Sequence, residues 1–67
     1  MDFDKKYPHI SQWVMSQGYV EIGYDYGSSS FIRALDEGGL VWEGKTIYAT
    51  MDEALQDLEE GLQEWME

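Results

Sequence analysis

The sequence predicts a small α+β domain in the order α-β-β-β-α: a three-stranded antiparallel meander with two helices packed on one face. Three observations predict it. A helical-period apolar stripe fills the last third of the chain, a shorter one follows Pro8, and alternating runs broken by Gly-rich turns lie between them. A single domain is expected from 67 residues, and a chain this short buries only about 60 % of its unfolded surface. Large side chains must supply the stability. Three Trp, five Tyr and two Phe make up 15 % of the residues, and the absence of Cys excludes disulfides and thiolate metal sites.

Residues 1 to 6 have no periodicity and read as a flexible lead. From Pro8, suited to the first helical position, Ile10, Trp13 and Val14 fall on one face, which predicts a helix over Pro8 to Gln17 with Gly18 as a left-handed stop. Tyr19 to Tyr26 alternates, with Val20, Ile22, Tyr24 and Tyr26 on one side, as a half-buried strand does. Gly27, Ser28 and Ser29 make a turn, and Phe31 to Glu37 forms a second strand. Gly38 and Gly39 suit a two-residue hairpin with positive φ at both positions, so Leu40 to Glu43 is the third strand. That turn would set Leu35 opposite Trp42, leaving Phe31, Arg33, Leu35, Leu40 and Trp42 on one face and Ile32, Ala34 and Val41 on the other. Both faces then carry apolar residues. Gly44 and Lys45 end the strand, and Thr46 to Tyr48 either adds a short fourth strand or runs into the last helix.

In that helix Met51, Ala54, Leu55, Leu58, Leu62, Trp65 and Met66 share one stripe. Thr50 stands as N-cap, and Glu53, three residues on, is placed to reach back to its amide. Gly61 beside the stripe costs about 1 kcal/mol against Ala in a helix interior, which marks a close approach to another backbone. The far face carries Glu53, Asp57, Glu60, Glu64 and Glu67, with Asp52 and Glu59 at one margin, and no Lys or Arg follows Lys45. Like charges at i, i+4 each cost roughly 0.2–0.5 kcal/mol, so the apolar stripe must hold this helix by docking.

Fourteen acids against four bases give a formal charge of −10, which repels phosphate backbones and anionic membranes. No direct nucleic-acid or membrane binding is expected. The opening has no secretory apolar core, and no run approaches the roughly 20 apolar residues of a membrane span, so a soluble cytoplasmic protein is expected. The element order coincides with the coarse topology of double-stranded-RNA-binding domains. The last helix, however, has acids where those domains need Lys and Arg to meet phosphates.

The string GLVWEGKT, Gly39 to Thr46, matches the phosphate-loop pattern letter for letter. Its variable positions favour strand, and the next helix waits until Thr50, so a strand followed by a Gly-Lys turn is expected instead. His9 is the single histidine and reads as a solvated residue of a first helical turn. Gly27 to Ser30 lacks a neighbouring base for an activated serine. The acid ladder lacks the close oxygens and Gly turn of a calcium loop, and the set Tyr24, Phe31 and Trp42 suits packing or a dimer contact better than base stacking at this charge. No catalytic, metal or cofactor residue is expected. The expected function is a non-catalytic protein-protein interaction module whose candidate surface is Phe31, Arg33 and Trp42 on the sheet with Glu53, Asp57, Glu60 and Glu64 on the helix. Its partner is a protein, basic in charge, or a second copy of the chain. The alternative is an acidic mimic of nucleic acid that occupies a basic DNA- or RNA-binding protein.

Overall fold

A computed structural model describes residues 2–24, 27 and 29–67. The order is α1 (Phe3–Lys6), α2 (Pro8–Ser16), β1 (Tyr19–Ile22), β2 (Ile32–Asp36), β3 (Gly39–Glu43) and α3 (Met51–Met66). The strands form one antiparallel sheet in the order β1-β2-β3, and α2 and α3 pack against it, as the apolar stripes require. The stretch expected as a lead without regular structure contains α1, a single turn capped by the Asp2 carboxylate on the amide of Asp4.

The core is built where helix stripes meet one sheet face. Tyr7, Ile10, Trp13, Ile32, Ala34, Ala54, Leu58 and Leu62 are buried, with Val20, Val41, Trp42, Tyr48, Leu55 and Met66 packed around them. Val14, expected on the buried face of α2, is half exposed. In α3 the Thr50 hydroxyl accepts from the amide of Glu53 at 3.1 Å, which caps the helix as the sequence indicates. Glu53 does not return to the amide of Thr50: its carboxylate meets that of Ala49 at 3.5 Å.

The strand ends differ from expectation for reasons of turn chemistry. Strand β1 stops at Ile22, because Gly23 takes φ +118°, and the further positions Asp25, Tyr26 and Ser28 lie outside the described residues. Of the two courses the sequence left open to residues 46–48, the structure takes the second: they run as a loop into α3. The hairpin turn is Glu37-Gly38, not Gly38-Gly39. The Asp36 carboxylate accepts the amide of Gly38 at 2.8 Å, Gly39 pairs with Asp36, and only Gly39 of the two glycines has positive φ.

That shift is followed by a bulge. Leu35 faces Leu40 and Ala34 faces Trp42, so Val41 is the extra residue on β3. Paired positions point to one side of a sheet, and Trp42 therefore joins Ala34 on the helix-covered face, not Leu35 on the open one. The bulge resolves the conflict of two apolar faces: Val41 and Trp42 both pack on the core.

Gly61 is the counterpart of that placement. A Cβ there would lie 2.2 Å from Trp42 Nε1, so the close approach read from the sequence is real, but the neighbour is an indole and not a backbone. Gly18 also owes its place to proximity. Its φ is not positive, and a Cβ would meet the Leu35 carbonyl oxygen at 2.1 Å where α2 turns into β1.

Candidate functional site

Of the sheet half of the expected surface, Arg33 is buried and Phe31 and Trp42 are half-buried. Trp42 lies against Gly61 beneath α3. Phe31 packs partly buried on the core, its ring 5.3 Å from Tyr24 and 6.1 Å from Tyr48 in tilted contacts that offer no flat stacking platform. Arg33 is buried: Nε donates to Glu21 at 3.0 Å, Nη1 to the Ser30 carbonyl at 2.6 Å and Nη2 to the Gly23 carbonyl at 3.1 Å. It ties both ends of the β1–β2 connection to the sheet, and the Ser30 hydroxyl donates to Glu43 beside it at 2.8 Å. What remains on the open face is the cross-strand row Tyr19, Leu35 and Leu40.

Two acids at the margin of the helix's far face, Asp52 and Glu59, are engaged within the fold. Asp52 is compensated across the fold, for its Oδ1 accepts from Lys6 Nζ at 2.7 Å and from the Tyr7 hydroxyl at 2.5 Å. The Lys6 hydrogen bond, with that of Tyr7, holds the Asp52 carboxyl below its ordinary value, and the same contact holds the Lys6 ammonium above its own. The Tyr7 phenol is pushed up by its bond to Asp52 and by burial.

Glu59 is the residue that sequence reasoning misplaced. It is 6 % exposed, and its two oxygens accept from the amide of His9 at 3.0 Å each and from that of Ile10 at 2.9 Å. These are free donors of the first turn of α2, whose own N-cap position, Tyr7, has no capping side chain. Glu59 thus caps α2 from α3, with the helix dipole favouring its charge. His9 Nδ1 lies 2.6 Å from Glu59 Oε2, so an ionised carboxylate there requires the proton on Nδ1. His9 is half-buried in this contact, not solvated as expected. Part of a signal was present in the sequence: a helix opening Tyr-Pro-His without a capping residue, and two acids, Asp52 and Glu59, at the margin of the acidic face.

Glu53, Asp57, Glu60 and Glu64 take part in none of the ion pairs among the described residues. Glu53, Glu60 and Glu64 are exposed, while Asp57 is half-buried and accepts from the Tyr48 hydroxyl at 2.6 Å. Tyr48 also accepts from the amide of Lys45 at 2.8 Å, and burial together with Asp57 pushes its phenol up. Glu53, Gln56, Asp57 and Glu60 form one wall of a groove of about 440 Å³ whose other wall includes Lys45 and Tyr48. Of the phosphate-loop string, Gly39–Glu43 is strand and residues 44–50 are loop, so no helix N-terminus follows Lys45 where a phosphate would need one. Among the described residues no group of three potential metal ligands converges, and no helix is long and apolar enough to cross a membrane.

No family model, no curated protein and no solved structure matches this chain.

Proposed function

We propose that the chain is a non-catalytic, cytoplasmic interaction module that binds a basic protein partner through the outer face of α3. One observation carries the reading: Asp52 and Glu59 are engaged within the fold, while Glu53, Glu60 and Glu64 remain exposed, with Asp57 beside them, on a helix without a basic residue. A protein that keeps such repulsion gains nothing for its own stability, and a cationic partner would relieve it. A second copy is the weaker choice of partner. The chain exposes 4468 Å², close to the roughly 4400 Å² expected of a folded monomer of its mass, and two copies would each bring −10.

The narrower reading, a mimic of nucleic acid, is weaker on charge density. The four acids spread over about 16 Å of helix at ~1.5 Å per residue, one charge per roughly 5 Å, against one per ~1.7 Å of duplex.

The test is capture of partners from the native host by the wild type and by the variant Glu53→Gln, Asp57→Asn, Glu60→Gln, Glu64→Gln, with the captured protein then purified and its affinity measured against ionic strength. The expected result is binding that weakens steeply with salt and is lost in the variant. Undiminished affinity in the variant would overturn the proposal.

A further inference from the structure

We propose that His9 is a site of covalent modification whose Nε2 accepts a phosphoryl group, with Glu59 as the residue that positions the ring for it. The inference is independent of the acidic face. His9 Nδ1 lies 2.6 Å from a Glu59 oxygen, and that carboxylate, 6 % exposed, is itself fixed by the amides of His9 and Ile10. The ring therefore keeps its proton on Nδ1 and its lone pair on Nε2, and the carboxylate beside Nδ1 raises the basicity of that lone pair. Among the described residues Nε2 has no hydrogen-bond partner, and the side chain is 26 % exposed, so this is the ring nitrogen open to a reagent.

What such a nitrogen takes is narrowed by its surroundings. A chelated metal needs further ligands, and among the described residues no three His, Asp or Glu side chains converge. General-base work needs a bound substrate, and His9 lines no part of the groove at Lys45 and Tyr48. A covalent bond needs only the nucleophile. An acyl group on imidazole is lost quickly to water, which leaves the phosphoryl group as the lasting adduct. Lys5, at the end of α1 just before α2, forms none of the ion pairs among the described residues and offers positive charge to an anionic donor. With a phosphoramidate as donor, the Nε2 lone pair attacks phosphorus, a new P–N bond forms as the donor's P–N bond breaks, and ammonia leaves. The positive charge that develops on the ring then faces the Glu59 carboxylate, and the Nδ1 proton stays where it is.

The test treats the folded chain with phosphoramidate and reads the adduct by mass and by phosphorus and nitrogen magnetic resonance, which tell Nε2 from Nδ1. One phosphoryl group is expected, on Nε2 of His9 alone, and none on His9→Gln. N-acetylhistidine, whose Nδ1 is free, should react at both nitrogens under the same conditions. Glu59→Gln should react about tenfold more slowly and lose that selectivity, whether or not α2 stays docked, since the carboxylate is gone in either case. An adduct on Nδ1 of the wild type, no adduct at all, or a Glu59→Gln variant as fast or as selective as the wild type would overturn the inference.

Discussion

Gly61→Ala separates helix propensity from packing, because the two effects have opposite signs at this position. Propensity alone favours Ala over Gly in a helix interior by about 1 kcal/mol. Against it, the new Cβ would stand 2.2, 2.5 and 2.7 Å from three atoms of the Trp42 indole, where ordinary contact needs more than 3.4 Å. The ring must retreat by about an ångström as a rigid body, and overpacking of a closed core costs about 1–3 kcal/mol, here toward the upper end because three ring atoms collide at once. The net effect is a loss of about 1–2 kcal/mol, which for a chain of this size lowers the melting temperature by roughly 7–14 °C. Thermal and urea denaturation followed by circular dichroism would read it. In a Trp42→Leu background the collision is gone, and the same substitution should become stabilising, a coupling visible in the double-mutant cycle. If Gly61→Ala stabilises the wild type, Trp42 is not beneath α3, and the bulge at Val41 that turns it there is wrong.

Three further outcomes follow from the contacts. Glu59→Gln should cost about 2–3 kcal/mol in urea denaturation, since hydrogen bonds to a charged acceptor contribute ~1.5–3 kcal/mol and an amide nitrogen would confront the donors of α2; Glu64→Gln should be neutral or slightly stabilising, and equal effects would reject the capping role. On the acid side, Asp52 has a folded value below its unfolded one, so its stabilisation is present above the ordinary carboxylate range and lost as pH falls through the folded value. On the alkaline side Lys6, Tyr7 and Tyr48 are all raised, so their stabilisation is complete below about pH 10 and lost as pH rises through their folded values; Tyr7→Phe should flatten the alkaline limb of a melting-temperature profile, and an unchanged limb would contradict this. Finally, at −10 the melting temperature should rise from low to moderate ionic strength, and insensitivity to salt would mean that the outer acids are compensated within the fold.

The elements whose signals are local were legible in the sequence. The stripe of α3 and its Thr50 cap, the Pro8 start of α2 and the three antiparallel strands all rest on periodicity or turn residues within a few positions. The register was not legible. Two adjacent glycines allow two placements of the hairpin turn, and the choice was made by the Asp36 carboxylate on the Gly38 amide and by the space Gly61 leaves for Trp42. That one choice moved Trp42 from the open face to the covered one and removed it from the candidate surface. Compensation of charge was hidden for a similar reason. Lys6 reaches Asp52 and the amide of His9 reaches Glu59 across 46 and 50 residues of chain, distances at which a sequence shows an acid but not its partner.

The claim on which the functional reading stands is that α3 turns its apolar stripe and Glu59 inward and presents its remaining acids as the binding face. Amide chemical shifts of the labelled protein, followed while an oligolysine peptide is added at low salt, test it most directly. Shifts should gather on residues 45–64, strongest at Glu53, Asp57 and Glu60 and reversed by added salt. Shifts centred on Tyr19, Leu35 and Leu40 would place the binding face on the open side of the sheet and contradict it.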